Sequence, residues 1–233
     1  METIENALYV VATPIGHLGD MTYRAVHVLQ HVDLIAAEDT RTTSVLLNHY
    51  GVRTAMKAYH ARNAARQTAA LIAHLQGGKS LALVSDAGTP TISDPGFQLV
   101  KAATEAGIRV IPVPGASAVL AALMAGGLPT HSFAFEGFLP QKKGRQSKIK
   151  MLAEEARTLV FYESPHRIHK TVGQLLEAWG DRPCVLGREI TKKFEEFFYG
   201  SLQQLYNHLA DRTVKGELVL LVAGKEKKKK EKA

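Results

Sequence analysis

Short apolar segments alternate with amphipathic helical patterns through the first half of the chain, and this alternation limits the folds that the sequence can adopt. Four segments have the pattern of buried strands, each with a helical pattern after it: ALYVVAT, DLIAAED, SLALVSD and IRVIPVPG. Strands that alternate with helices in this way pair in parallel and are joined by right-handed crossovers. The first half therefore predicts an α/β domain with a mostly parallel sheet.

The pattern changes after about residue 128. Two or three helices separate the five strand-like segments that follow: SFAFEGFLP, TLVFYES, PCVLGREI, FEEFFYG and ELVLLVAG. Neighbouring strands joined by short connections favour a mixed or antiparallel sheet. We therefore expect two α/β domains, residues 1–117 and 118–224, with a ligand cleft between them, and a disordered lysine-rich tail at residues 225–233.

Positive charge is concentrated in two segments of a chain whose formal net charge is +7 at pH 7. The tail at 225–233 contains six lysines and two glutamates, and the segment QKKGRQSKIK at 141–150 contains five basic residues and no acid. Basic segments of this kind suit a polyanionic partner. A solvated loop and a solubilising tail would have the same composition, so both interpretations stay open.

Composition also bears on the compartment. The longest apolar stretch, ASAVLAALMAGGLP, is too short to span a bilayer, and the N-terminus carries two acids before its apolar run, unlike a secretory signal. The single cysteine, Cys184, cannot form an internal disulfide and fits a reducing compartment. We expect a cytoplasmic protein without a membrane segment, in which Cys184 is a core residue.

Four loops follow predicted strands at the place where open parallel sheets bind ligands, outside the carboxyl ends of the strands. They are TPIGHLGD, AEDTR, LVSDAGTPTISDPG and PVPGASA. In the third loop, Gly88 and Gly96 can adopt positive φ and let a ligand approach the backbone. This loop is longer than a plain connection requires, which favours a ligand site, and Asp94 followed by Pro95 predicts the start of the next helix. No recognisable spacing of metal ligands accompanies these loops, so we expect no metal.

In the second half, charged residues directly follow two apolar strands, in FYESPHR and GREITKKFEE. These residues are Glu163, Arg167, Arg188, Glu189 and Lys192. If the strand ends face a cleft, the charged groups would lie near the four loops of the first half. Solvated strand ends with surface ion pairs are the alternative.

Taken in order, the motifs resemble those of the ribosomal RNA small-subunit methyltransferase I family, within the tetrapyrrole methylase-like (class III) methyltransferases. The resemblance runs from about residue 7 to 224 and rests on these segments: TPIGHLGDMTYRA, DLIAAEDTR, LVSDAGTPTISDPG, VPGASA, EGFLP, FYESPHR, REITKKFEE and KGELVLLV. It implies a tetrapyrrole methylase-like fold and 2′-O-methylation of a cytidine ribose in the 16S rRNA of the small ribosomal subunit. It further implies a homodimer that holds S-adenosylmethionine (SAM) in the interdomain cleft.

The resemblance also implies which residues contact the cofactor. Carried over position by position, they are Ile15, Gly16, Ala87, Gly88, Thr89, Ile92, Ser117, Ala118, Glu163 and Glu189. Many members of the family have a further C-terminal helical domain thought to help hold RNA. In this chain, the segment at 142–150 and the tail are the candidate substitutes.

Methyl transfer from a sulfonium requires the nucleophile, the methyl carbon and the sulfur to be nearly collinear. Positioning is therefore the main contribution of the enzyme, worth up to roughly 7–11 kcal/mol. A ribose hydroxyl also needs a base or a cation nearby to lose its proton, and the candidates are Glu163, Asp39 and Lys192. The candidates for binding RNA phosphates are Arg41, Lys142, Lys143, Arg145 and Arg167.

Two other functions stay open at this point. One is methylation of a tetrapyrrole or another small molecule, or of a protein side chain, by an enzyme of the same superfamily. It predicts a cleft without a basic rim. The other is a non-catalytic RNA-binding module, which would bind RNA equally well with and without SAM.

Overall fold

The computed structural model describes residues 3–226, which form two compact units with the break between Ser117 and Ala118. Both units are α/β. The lysine-rich tail expected to be disordered lies, from residue 227 onwards, outside the described residues. No helix within residues 3–226 has both the length and the apolar character needed to cross a membrane.

The first unit is a five-stranded sheet with helices on both faces. Its elements are β1 (Leu8–Val11), α1 (Tyr23–His31), β2 (Leu34–Ala37), α2 (Thr40–His49), β3 (Met56–Ala58), α3 (Ala64–Gln76), β4 (Leu81–Val84), α4 (Phe97–Glu105) and β5 (Val110–Val113). The strand order is β3-β2-β4-β1-β5, and every neighbouring pair is parallel. The predicted parallel sheet is confirmed, with a short edge strand, β3, that the sequence did not predict.

Side-chain alternation along the strands divides the core of this unit in two. Tyr9 and Val11 of β1 pack with α1 and α2 on one face. Leu8 of the same strand packs with α3 and α4 on the other face. Because both faces are covered, the strands are apolar throughout, as the sequence shows.

The order of the strands places a topological switch point between β1 and β4. From β1 the chain crosses to β2, toward one edge of the sheet. From β4 it crosses to β5, toward the opposite edge. These two strands are neighbours, and the loops that follow them therefore diverge over opposite faces. Ligands of open α/β sheets bind in the crevice that such a divergence leaves.

The prediction that Asp94 and Pro95 begin a helix is wrong. Helix α4 begins at Phe97, and its N-cap is Gly96 with φ 139°. Thr91 and Ser93 also have positive φ, so the chain is still turning at this point. The loop after β4 is therefore two residues longer than the pattern suggested.

The second unit is built on a mixed sheet. Its elements are α5 (Ala118–Gly126), β6 (Phe133–Phe138), α6 (Arg145–Leu152), β7 (Thr158–Glu163), α7 (Ile168–Trp179), β8 (Pro183–Arg188), β9 (Glu196–Ser201), α8 (Leu202–Leu209) and β10 (Leu218–Val222). The order is β6-β7-β10-β8-β9, in which only β6 and β7 are parallel. All five predicted strands are present, and the predicted mixed sheet is confirmed.

Helices α6, α7 and α8 cover one face of this sheet and form the main core of the unit. Cys184 lies in that core, where burial raises the pKa of its thiol to about 12, so it remains an unreactive thiol at neutral pH. Helix α5 packs on the other face, where Gly126 approaches the side chain of Leu221.

Candidate active site

The loops that follow β1 and β4 are joined to each other by backbone hydrogen bonds. Thr13 N–H donates to the carbonyl of Gly88 at 2.8 Å, and Gly88 N–H donates to the carbonyl of Thr13 at 3.0 Å. The Thr13 hydroxyl is buried and donates to the carbonyl of Ser85. These bonds fix the backbone on both sides of the switch point.

The loop after β5 joins the same structure. The hydroxyl of Thr89 donates to the carbonyl of Ala116 at 3.1 Å. Gly88 has φ 77°, and a Cβ atom added there would lie 3.3 Å from Cγ2 of Ile15 and 3.8 Å from the Ala116 carbonyl. Three loops therefore converge on Gly88, whose missing side chain lets them pack closely, and we call the backbone that they present there the cradle.

The loop after β2 is joined through the carboxylate of Asp86. Asp39 N–H donates to Oδ1 of Asp86 at 3.0 Å, and Asp86 N–H donates to Oε2 of Glu38 at 3.4 Å. The four predicted loops thus form one hydrogen-bonded rim along the carboxyl ends of β2, β4, β1 and β5. We call this the four-loop rim, residues 13–20, 38–41, 85–96 and 114–117.

Within residues 3–226, four residues other than glycine have positive φ: two lie in the third loop of the rim, and the other two are Glu189 and Thr191. Thr91 and Ser93 hold φ values of 76° and 65°, which cost free energy in residues other than glycine. Such conformations persist only where the surrounding structure requires them, and they cluster at ligand sites. Ile92, between them, is a large apolar side chain with 41% of its surface exposed.

The cofactor residues implied by the resemblance lie mainly on this rim. Ile15 and Gly88 are buried, Thr89 is half-buried, and Gly16, Ala87 and Ile92 are exposed. Ser117 is the last residue of the first unit, and Ala118 begins α5 of the second. Seven of the ten predicted residues therefore lie on the four-loop rim.

Asp39 is placed to cap a helix and to hold Arg41. Its carboxylate accepts hydrogen bonds from the backbone N–H, Nε and Nη2 of Arg41, and Asp39 is the N-cap of α2. The side-chain and backbone hydrogen bonds from Arg41 lower the pKa of Asp39 to about 2. A carboxylate with that pKa is a weak base, which argues against Asp39 as the proton acceptor. Arg41 remains 90% exposed beside the rim.

Glu38, the residue before Asp39, was not predicted as a site residue. Its surroundings shift its pKa in the direction opposite to that of Asp39. Burial first, and then the charge of Asp94, raise the pKa of Glu38 above its ordinary value, with smaller effects from Asp86 and Asp39. It accepts a hydrogen bond from the backbone of Asp86. Its only sequence signal is its place directly after the apolar run of β2, a signal that Asp39 shares.

In the second unit, Glu189 and Lys192 lie in one charged cluster at the end of β8. Lys192 Nζ donates to Oε1 of Glu189 at 2.9 Å and to Oε2 of Glu217 at 3.0 Å. Burial alone would lower the pKa of Lys192, but the bonds to these two carboxylates outweigh it and raise the pKa. Lys192 is therefore a fixed cation rather than a base.

Glu163, Arg145 and Arg167 form a largely buried network, which bears on three predicted roles. The side chains of Arg145 and Glu163 are only 7% and 1% exposed, and their polar atoms bond to protein partners. Neither can reach a ligand without breaking those bonds. This burial argues against Glu163 as a catalytic base or a cofactor contact, and against Arg145 as a phosphate contact. Arg167 is partly exposed but also bonds to Glu163.

The two remaining predicted RNA contacts are exposed. Lys142 and Lys143 lie in the turn of residues 141–144, which leads into α6. Gly144, with φ 82°, ends this turn and forms the N-cap of the helix. The turn therefore presents two cationic side chains to solvent.

Comparison with known proteins identifies the family. Tetrapyrrole (Corrin/Porphyrin) Methylases match residues 7–206. A Mesorhizobium japonicum protein named ribosomal RNA small subunit methyltransferase I is 51% identical over 233 residues, covering 99% of this chain and 79% of that protein. A Synechocystis protein of the same name is 52% identical over 219 residues, covering 93% of this chain and 78% of its own length.

Solved structures support the fold. A cobalt precorrin-4 methyltransferase matches with a TM-score of 0.70 at 16% identity, covering 94% of this chain and 95% of its own. A uroporphyrin-III C-methyltransferase from Thermus thermophilus, complexed with S-adenosylhomocysteine, matches with a TM-score of 0.65 at 20% identity, covering 92% and 96%. The chain belongs to the tetrapyrrole methylase family and, within it, to the ribosomal RNA small subunit methyltransferase I proteins.

Proposed function

We propose that this chain transfers a methyl group from SAM to the 2′-hydroxyl of a cytidine in the 16S rRNA of the small ribosomal subunit. The observation that carries the proposal is the four-loop rim, because it builds a ligand cradle at the switch point of the sheet. The substrate class, rRNA of the small ribosomal subunit, follows from the name shared by relatives about half identical over nearly the whole chain. The cytidine 2′-hydroxyl follows from the resemblance of the motifs to that family.

The rim combines backbone groups with apolar side chains, and SAM can contact both. We assign the cofactor to Ile15, Gly16, Ala87, Gly88, Thr89, Ile92, Ser117 and Ala118, with Glu189 as a further contact. The cradle at Gly88 supplies backbone groups, and Ile15 and Ile92 supply apolar surface. When bound, SAM provides an electrophilic methyl group on a sulfonium.

We assign the removal of the ribose proton to Glu38. Of the two acids at the end of β2, only Glu38 has a raised pKa, because it is partly buried among other carboxylates. A base whose pKa lies closer to the working pH accepts a proton more effectively than Asp39 does. Lys192, as a fixed cation, fits a role in stabilising negative charge.

Exposed cations occur on both units, which suits a polyanionic substrate such as RNA. Arg41 stands beside the rim with its position fixed by Asp39, and Lys142 and Lys143 are exposed on the turn before α6. We assign RNA phosphates to these three side chains. We expect single-stranded or splayed RNA as the target, because a ribose packed in a duplex cannot readily reach the residues of the rim.

A homodimer in the cytoplasm, where small ribosomal subunits are found, completes the proposal. Helix α5 is apolar on more than the face that packs on the sheet, since Leu120 is 53% and Met124 is 85% exposed. A helix that is hydrophobic on several sides is normally buried. A second copy of the chain would cover these side chains.

Label transfer tests the proposal. The protein is incubated with methyl-tritiated SAM and small ribosomal subunits that lack the modification, and the labelled nucleotide is then mapped. We expect label on the 2′-oxygen of one cytidine, and none with subunits that already carry the methyl group. Label on an added porphyrin instead, or RNA binding that is equal with and without SAM and transfers no label, would contradict the proposal.

A further inference from the structure

We propose that Arg145 is a positioning residue that fixes the basic turn of residues 141–144 for contact with RNA, together with Glu163 and Arg167. This inference rests on the proposed function, since it assigns the turn to RNA. The structure places Arg145 in the core of the second unit, so it acts through the turn and does not itself contact RNA.

The centre of the arrangement is one buried carboxylate. Glu163 accepts hydrogen bonds from the hydroxyl of Thr171 at 2.6 Å, from Nη2 of Arg167 at 3.0 Å and from the backbone of Ser164 at 2.8 Å. The guanidinium of Arg145 lies 4.0 Å from the same carboxylate. Two arginines therefore share one acid at the end of β7.

The two arginines also bind consecutive backbone carbonyls at the base of the turn. Arg167 Nη2 donates to the carbonyl of Leu139 at 2.8 Å, and Arg145 Nη1 donates to the carbonyl of Pro140 at 3.1 Å. Arg145 is further fixed by Nη2 on Thr171 at 2.7 Å and by Nε on Gln174 at 2.8 Å, both residues of α7. The segment that leads into the turn is thus tied to β7 and α7.

The network fixes the turn at both ends. Arg145 is the first residue of α6 and directly follows Gly144, while its side chain reaches back to the residue before the turn. The backbone carbonyl of Lys142 accepts from the backbone N–H of Arg145. Lys142 and Lys143 are thereby held on a closed loop whose two ends meet at one guanidinium.

Core stability alone would not require this arrangement. A buried ion pair replaced by apolar residues of similar volume is often neutral or stabilising, whereas removal of one partner is strongly destabilising. Buried charges have their best-attested use in fixing one geometry among several. Here they fix the geometry of a turn with two exposed lysines. They donate to the carbonyls of Leu139 and Pro140, directly before the turn, which would otherwise lack these donors.

A double-mutant cycle on RNA affinity tests the inference. The variants are Arg145→Gln, the pair Lys142→Ala with Lys143→Ala, and all three changes together. Binding to unmodified small ribosomal subunits is measured over a range of salt concentrations. Each lysine that contacts a phosphate of single-stranded RNA contributes about 0.7 to the slope of log affinity against log salt, so the lysine pair should lower the slope by about 1.4.

If Arg145 acts through the turn, Arg145→Gln lowers both affinity and slope in the presence of the lysines. In the variant that lacks both lysines, Arg145→Gln has no further effect on RNA affinity or slope. The affinity for SAM is unchanged in all variants. Additive losses, or no loss of RNA affinity in Arg145→Gln, would overturn the inference. Failure of the wild-type protein to bind the subunits would instead count against the proposed function.

Arg182 supplies the matched control, and Thr171 a milder variant. Arg182 is also largely buried and donates to a backbone carbonyl, that of Ala153 at the end of α6. Arg182→Gln should lower the melting temperature without changing the salt slope. If Arg145→Gln fails to fold, Thr171→Val removes one of the bonds to Arg145, and the same loss of salt slope is expected to a smaller degree.

Discussion

Valine in place of Gly88 is expected to weaken SAM binding by on the order of 100-fold, about 2.7 kcal/mol. Gly88 has φ 77°, where a β-branched residue is strained, and its Cβ would lie 3.3 Å from Ile15 Cγ2. The added methyl groups would also occupy the cradle assigned to the cofactor. Titration calorimetry with SAM measures the loss directly.

Gly78 provides the control for backbone strain. It has φ 82° and no atom within 4 Å of an added Cβ, and it lies just beyond α3, away from the four-loop rim. Gly78→Val should therefore show a similar strain cost in unfolding and no change in SAM affinity. Unchanged SAM binding by Gly88→Val would refute the role of Gly88.

Glutamine in place of Glu38 is expected to lower kcat by about 10²–10⁴-fold, as loss of a general base does. SAM affinity should change little, because the residues assigned to the cofactor are not altered. Asp39→Asn is the matched control, since asparagine caps helices as well as aspartate does. Its kcat should fall far less. Equal losses of kcat in the two variants would contradict the assignment of the base to Glu38.

Glu38→Gln should also be more stable than the wild type at neutral pH, by about 0.5–2 kcal/mol, the range of changes that optimise charge. Because the folded protein raises the pKa of Glu38 above the ordinary 4.5, the wild type loses stability as the pH rises from 4.5 through the raised pKa. Glu38→Gln has no such loss. Urea unfolding at several pH values should show equal stability at acid pH and a difference that grows through this window and then levels off.

The parallel and mixed sheets were predictable because most of their strands are short apolar runs with turn signals between them. Strand β3 was missed, since Met56–Ala58 is three residues with a lysine at its centre. It is a strand because it pairs with β2, which is a tertiary effect. The positive φ values at Thr91 and Ser93, which delay α4, likewise have no sequence signal comparable to that of glycine.

The sequence predicted the parts of the candidate site that depend on backbone conformation. It did not predict the parts that depend on which side chains bond to one another. The four loops were identified from glycine, proline and their place after strands, and hydrogen bonds join them. The presence of charged residues after a strand did not show which of them belong to the site. Spacing alone cannot distinguish Arg41, which points to solvent, from Arg145, which points into the core. Nor can spacing show that hydrogen bonds from Arg41 lower the pKa of Asp39, whereas burial raises the pKa of Glu38 and makes it the stronger base.

A crystal structure of the protein with S-adenosylhomocysteine tests the central claim most directly. We expect the ligand on the four-loop rim, in contact with the backbone at Gly88 and with Ile15 at van der Waals distance. Density for the ligand elsewhere on the chain, with the backbone bonds between Thr13 and Gly88 intact and the cradle empty, would contradict it.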